Sequence, residues 1–175
     1  SDMGIMGLED NLRFCRAISE CAEDLLLHAD ADTGYGNAVN VHFVVRAFEK
    51  AGVAAVMIED QVWPKRCGHL VGKDVISAGE MVQKVKSACD ARRDNDFVIK
   101  ARTDAAGVLG IDEAIDRLNL YAEAGADLLF ADALLSAEDI EKVARNVPKP
   151  LTVNMGLGIR SRSTTPLISP ARLQA

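Results

Sequence analysis

Hydrophobic positions along the chain switch repeatedly between a helical and a strand period. Leu8, Leu12, Cys15, Ile18 and Cys21 recur at helical spacing, and the run Leu25-Leu26-Leu27 then leads into Ala29-Asp30 as a buried strand would. Val41, Val44, Val45 and Phe48 mark the inward side of a helix over residues 37–50, which Gly52 terminates, and residues 53–58 read as the next strand. Ser77-Ala78-Gly79-Glu80 has the form of a capping box and opens a helix with Met81, Val82, Val85 and Cys89 on one face. Residues 97–101 read as a strand, 111–124 as a helix closed by Gly125, and 128–131 as another strand. Ser136 caps a helix running to Val147, Pro148 and Pro150 bracket a turn, and residues 151–154 form the fifth strand. Ser169-Pro170 looks like the cap and first position of one more helix.

Short apolar strands separated by helices predict βα units on a parallel sheet, because parallel neighbours need crossovers of this length. An open doubly wound sheet and a (β/α)8 barrel both fit that count. The polar residues separate the two. Asp30 and Asp32 follow the first strand, Glu59 and Asp60 the second, Arg102 and Asp104 the third, Asp132 the fourth and Asn154 the fifth. A barrel would gather these ends at one mouth, whereas an open sheet would spread them along an edge. The expected fold is therefore α/β, a single (β/α)8-type domain over residues 1–175. A complete barrel takes about 250 residues, so the expectation is an incomplete barrel of some five βα units.

Composition narrows the class. Of 175 residues, 49% are hydrophobic, and no apolar run approaches the roughly 20 residues that span a bilayer. The formal charge is −6, with 20 basic and 26 acidic residues, which argues against a nucleic-acid surface. Aromatics at 5% also argue against base-stacking platforms. The expectation is a cytoplasmic protein. Cys15, Cys21 and Cys89 lie in helical apolar patterns and read as reduced core residues. Cys67 differs, since Lys65, Arg66, Gly68 and His69 surround it with cations and a base that favour thiolate.

The candidate chemistry sits at the strand ends. Asp30 and Asp32 leave their strand at alternate positions, on one side of an extended backbone, and Glu59 comes from the neighbouring strand. Three oxygen donors of this kind suit Mg²⁺ or Mn²⁺, although each acid taken alone could equally cap the following helix. Thr33-Gly34-Tyr35-Gly36-Asn37 could cradle a phosphate or simply turn the chain into its helix; the pattern is neither a Walker loop nor a dinucleotide fingerprint. Cys67-Gly68-His69 could supply a nucleophile and its base, an acid for proton transfer, or half a zinc site. The zinc option is the weakest, since His28 and His42 fall inside a strand and a helix as structural residues. Arg102, at the end of an apolar strand, needs an anion, either a bound one or Asp104 or Asp132.

Five segments in order, Asp30 to Gly36, Ile58 to Gln61, Lys65 to His69, Ala101 to Asp104 and Asn154-Met155, together closely resemble the isocitrate lyase/phosphoenolpyruvate mutase superfamily, and within it the methylisocitrate lyase and 2,3-dimethylmalate lyase branch. The resemblance runs through essentially the whole chain. It implies that the family's first strand lies upstream of Ser1 and its last strand and closing helices beyond Ala175. It also implies that Asp30 contacts Mg²⁺ directly while Asp2, Asp32 and Glu59 act through its waters. Arg102 would bind a substrate carboxylate with the Gly68 N–H and Asn154, and Asp132 and Thr165 would line the same substrate site. Cys67 would act as general acid toward the carbanion left when a C–C bond breaks, with His69 assisting.

The reaction implied is Mg²⁺-dependent cleavage of a 2-hydroxy di- or tricarboxylate into an α-keto acid and a second carboxylate, in a homotetramer whose dimers exchange their last helix. Oxaloacetate hydrolysis and phosphonopyruvate mutase or hydrolase chemistry are the alternatives within the superfamily, and a catalytically silent fragment is the alternative outside it. Two departures fall near the substrate. Asp132 in Phe130-Ala131-Asp132-Ala133 stands where the family usually has Glu, and residues 156–162 replace a Glu-Gly-Gly-type segment before Thr165-Pro166-Leu167 resumes the pattern. Arg160 and Arg162 could add a carboxylate contact there or be solvated loop charges.

Overall fold

The computed structural model describes residues 3–22, 24–68, 70–155 and 165–173. Its elements follow the chain as α1 (Leu8–Cys21), β1 (His28–Asp30), α2 (Ala38–Lys50), β2 (Ala55–Glu59), α3 (Ala78–Ala91), β3 (Val98–Thr103), α4 (Ile111–Glu123), β4 (Leu128–Ala131), α5 (Ala137–Arg145), β5 (Leu151–Thr152) and α6 (Pro170–Leu173), with a short 3-10 turn at Ala105–Gly107. All five strands are parallel, and their order in the sheet is their order in the chain. A sheet that never reverses its strand order, joined by right-handed crossovers, carries all its helices on one face. That is the winding of a (β/α)8 barrel and not of a doubly wound sheet.

Alternation along the strands fixes which side is which. Val56, Ile58, Ile99, Ala101, Leu129 and Ala131 join one buried cluster with Val45, Phe48, Met81, Val85, Leu118 and Val143 of the helices. The intervening positions Met57, Glu59, Lys100, Arg102 and Phe130 face the other way, and Phe130 lies 4.8 Å from Lys100 Nζ and 5.4 Å from the Arg102 guanidinium carbon. Apolar packing thus lies between sheet and helices, and charge lies on the opposite face.

Local signals set the helix starts. Asn37 accepts from the N–H groups of Val39 and Asn40, and Asn40 accepts in return from Asn37 N, a reciprocal cap at α2. At α3 the expected box is half made: Ser77 Oγ accepts from Glu80 N at 3.1 Å. Ser136 caps α5 through Asp139 N, and Glu138 and Asp139 at its start with Lys142 and Arg145 at its end oppose the helix dipole.

Two expectations of apolar burial fail on the side away from the strand ends. Leu25 and Leu26 are 73% and 90% exposed and precede β1, so they belong to no buried strand. Cys21, in the last turn of α1, is exposed, whereas Cys15 is buried and Cys89 partly so. The apolar period that placed Leu25, Leu26 and Cys21 inside presumed a layer that β1, an edge strand here, does not have on that side. No disulfide links the four cysteines. Among the described residues no helix is long and apolar enough to cross a membrane.

Candidate active site

β2 and β3 run in register with Glu59 opposite Arg102, which brings the second and third strand ends side by side. Asp104 then grips Arg102 along one edge, accepting from Nε at 2.8 Å and from Nη2 at 3.0 Å. The other edge of the guanidinium meets Asp132 Oδ2 at 3.1 Å and Glu59 Oε2 at 3.3 Å. Ion pairing with Asp104 and Asp132, one of the two readings of Arg102, is what the structure shows. Burial disfavours the cation, but Asp104, Glu59 and Asp132 outweigh it and raise the Arg102 pKa. The same contact works in reverse on Asp104: burial would raise its pKa, yet Arg102 and then Lys73 pull it below the usual carboxylate range.

The acids at the β1 end are arranged differently from the extended alternation expected. Asp32 has left the strand, with φ +50°, and its N–H donates to Asp30 Oδ1 at 2.9 Å. Asp30 is exposed and Asp32 fully buried. The main chain is pinned to β2, where Ala31 N donates to Met57 O and Glu59 N to Asp32 O, both at 2.9 Å. What joins Asp32 to Glu59 is Lys65, whose Nζ lies 2.8 Å from Asp32 Oδ1 and 3.0 Å from Glu59 Oε1. The pair is asymmetric. Burial alone would lower the lysine pKa, but Glu59 and Asp32 hold it raised. For Glu59 burial dominates over Arg102 and Lys65 and pushes the carboxyl up to about 7.

The loop after β2 carries Lys65 and Cys67 across these strand ends. Its base is closed by a bridge between Gln61 and Val75, by Val62 N donating to Asp74 O and by Ile76 N donating to Asp60 O, each at 2.9 Å. The buried Gln61 amide holds both sides of Arg66, donating to its carbonyl at 2.8 Å and accepting from its N–H at 2.9 Å. Further along, Lys73 donates to Gly68 O and, at 2.9 Å, to Asp104 Oδ1. Gly68 is pressed so close that a Cβ there would stand 1.5 Å from Asp132 Oδ2 and 2.5 Å from Arg102 Nη2. Only glycine lets this backbone reach the Arg102 cluster. The partly exposed Cys67 is its neighbour in the chain.

Of the predicted site residues, Asp32, Glu59, Gly68, Arg102 and Asp132 converge, with Asp30 bonded to Asp32 at the margin and Cys67 next to Gly68 in the chain. Asn154 follows β5 and is exposed, and Thr165 is buried. Asp2, His69, Arg160 and Arg162 lie outside the described residues. Gly34 and Gly36 make a turn, not a demonstrable anion cradle: Gly34 N donates to Ala31 O, and a Cβ at Gly34 would meet Val41 at 2.6 Å. Sequence reasoning gave Lys65 only an electrostatic part and missed Lys73. A lysine in an aperiodic loop carries no signal of burial; the one clue was that both lie in a stretch rich in polar and glycine residues after a strand.

The donor set fits a divalent cation in kind. It is all oxygen, the ammonium of Lys65 already stands between Asp32 and Glu59 as a cation would, and neither Glu59 oxygen accepts a hydrogen bond among the described residues. Among the described residues no three acids or imidazoles come close enough to form a metal centre on their own. A cavity of about 510 Å³ lies beside the site, lined by Trp63, Thr33, Gln61, Glu80 and Lys84 among others, and neither Cys67 nor Arg102 borders it.

The family model described as phosphoenolpyruvate phosphomutase matches residues 1–171. A 2,3-dimethylmalate lyase of Eubacterium barkeri is 45% identical over 174 residues, covering 99% of this chain and 58% of the relative. A 2-methylisocitrate lyase of Aeropyrum pernix is 48% identical over 154 residues, covering 88% and 49%. The chain thus spans about half the length of the curated relatives it matches. Among solved structures, a 2,3-dimethylmalate lyase superposes with a TM-score of 0.90 at 37% identity, covering 98% of this chain and 56% of that one. A phosphonopyruvate hydrolase in complex with oxalate and Mg²⁺ gives 0.75 at 37% identity, covering 85% and 52%.

Proposed function

The chain belongs to the phosphoenolpyruvate phosphomutase family, and on that premise we propose that it carries the active site of a divalent-cation-dependent carbon–carbon lyase acting on a 2-hydroxy di- or tricarboxylate. The observation that carries this reading is the convergence of a buried, rigidly held guanidinium, a pair of buried acids and a thiol-bearing loop on one end of the sheet. Similarity to a 2,3-dimethylmalate lyase and a 2-methylisocitrate lyase supports the reaction class.

In the proposed reaction the substrate hydroxyl loses its proton to solvent, from which the Cys67 thiolate is afterwards reprotonated, and becomes the carbonyl of an α-keto acid. The C–C bond breaks, and its electron pair passes to the carbon beside the second carboxylate. Cys67 donates the proton that this carbon takes up, with His69 assisting. Arg102, fixed along one edge by Asp104, exchanges its contacts with Asp132 and Glu59 for a substrate carboxylate, a planar charge match that a lysine could not supply. Gly68 provides a backbone N–H beside it, and Asp132, Asn154 and Thr165 shape the surrounding substrate site. Asp30, Asp32, Glu59 and Asp2 would hold Mg²⁺ or Mn²⁺; such an ion supplies Lewis-acid polarisation of substrate oxygens. The phosphonopyruvate hydrolase complex with Mg²⁺ supports that choice of ion. A small carboxylate partner, a cytoplasmic setting and a homotetramer complete the proposal.

The test is a Mg²⁺-dependent screen of dimethylmalate, methylisocitrate and oxaloacetate with keto-acid release as the readout. Keto acid from either of the first two is expected. Oxalate and acetate from oxaloacetate, with no keto acid from the others, would replace the lyase by a hydrolase.

A further inference from the structure

Lys65 is 5% exposed, and its ammonium sits against two fully buried carboxylates. Those acids, Asp32 and Glu59, are the pair assigned above to a divalent cation. Two cations within a few ångströms in a site closed to water repel strongly, so the acids cannot serve both fully at once. Lys65 also belongs to the loop that presents Cys67, only two residues further on, and the peptide between them is gripped at Arg66 by Gln61.

We infer that Lys65 is an internal competitor for the cation site and a latch on the thiol loop: a divalent ion binds Asp32 and Glu59 by displacing the Lys65 ammonium, and so changes the hold on residues 65–68. The inference rests on the acid site of the proposed function and deepens it. It makes cation affinity and the placing of Cys67 two readings of one equilibrium, since each occupant biases the same pair of acids. The far anchor of the loop is separate: Lys73 donates to Gly68 O and to Asp104, so its bonds do not depend on the Asp32–Glu59 pair.

The experiment is titration of the full chain with Mn²⁺ alone, followed by loss of the free-ion electron paramagnetic resonance signal. Lys65→Met is expected to bind Mn²⁺ about tenfold or more tightly than the unsubstituted chain, because it removes the competing charge, while Lys65→Arg keeps the competition and the weaker binding. Equal or weaker binding by Lys65→Met overturns the inference. Should Lys65→Met not fold, the unsubstituted chain provides an independent reading: saturating Mn²⁺ is expected to speed tryptic cleavage of the bond after Lys65 about fivefold, as a buried side chain becomes accessible. Unchanged or slower cleavage overturns it as well. Absence of Mn²⁺ binding by any of the three chains removes the ion from the proposed function along with this inference. Mn²⁺ binding that is insensitive to Lys65 removes this inference alone and leaves the lyase reading intact.

Discussion

Glu59 and Asp60 are adjacent carboxylic acids, both fully buried, yet they belong to different halves of the molecule. Asp60 falls on the helix side of the sheet, in phase with Val56 and Ile58. Four donors meet it there: Thr103 Oγ1 and Tyr121 OH at 2.7 Å, Asp104 N at 2.9 Å and Arg117 Nη1 at 3.1 Å. Glu59 faces the other way and, among the described residues, receives only the ion pairs of Lys65 and Arg102. A carboxylate met by four donors, three on Oδ2 and one on Oδ1, is a structural part, since its charge is already compensated by bonds within the fold. One that is buried with acceptor capacity left over is held against its solvation preference, which is the condition for binding a cation or a proton.

The largest expected effect breaks the structural side. Asp60→Ala strands the Tyr121 and Thr103 hydroxyls, the Asp104 N–H and the Arg117 cation in a dry layer, and removal of one partner of such a network costs about 3–5 kcal/mol. Urea denaturation should show a loss of that size or a chain that no longer folds. A loss below 1 kcal/mol would mean that the network is not shared as drawn. Arg117 has two other partners, Glu113 and the Ile76 carbonyl, each at 2.8 Å, and so contributes least to the penalty.

On the other face the expected effect is of similar size but appears in turnover and not in folding. Cys67→Ser keeps the shape of the side chain and loses an acidic proton, so kcat should fall by about 10²-fold or more with KM changed only a few-fold. Unfolding by urea should be unaltered. A variant that retained most of its turnover would leave Cys67 without a chemical part, and the distinction between the two faces would then rest on Glu59 alone.

Much of this division was written in the sequence. The strand period that places Val56 and Ile58 against the helices places Asp60 with them and Glu59 opposite, so the two acids could have been told apart by counting residues. Arg102 and Asp104 were likewise legible as a pair. The loop was not. Lys65 and Lys73 occupy a stretch with no period, and their burial depends on closure of the Gln61–Val75 bridge, a contact between residues on either side of the loop. Past the end of β1 the extended period also stops at Ala31, because Asp30 turns the chain by accepting from Asp32 N, and the side on which Asp32 falls is then set by that turn. The exposure of Leu25 and Leu26 has the same origin in reverse, since apolarity records what a position tolerates and not which layer covers it.

A smaller effect sharpens the comparison through pH. Folded Glu59 keeps its proton up to about pH 7, against an ordinary value of 4.5. The folded chain therefore binds more protons than the unfolded one between those limits, and stability that is fully present below pH 4.5 is lost as pH rises through 7. Glu59→Gln removes the titration and keeps the shape. Between pH 5 and pH 8 the unsubstituted chain should lose about 1–3 kcal/mol relative to Glu59→Gln, read from urea midpoints at each pH. Parallel curves would show that Lys65 and Arg102 compensate the charge of Glu59 as completely as the four donors compensate Asp60.

The smallest test separates one bond from the network. Tyr121→Phe deletes a hydroxyl that donates to Asp60 and leaves the ring in the core, where Tyr121 has no exposed surface. Asp60 still has three donors, so no charge is abandoned, and the expected loss is about 1–2 kcal/mol, the range for one buried hydrogen bond to a charged acceptor. Burial and the negative charge of Asp60 both raise the Tyr121 pKa, so the phenol stays protonated and the figure should not vary with pH between 5 and 8. That constancy, set beside the sloping curve for Glu59, distinguishes a saturated acid from an unsaturated one more sharply than either magnitude does. A pH-dependent loss at Tyr121 would place a titrating group on the helix side, where the structure assigns only satisfied ones.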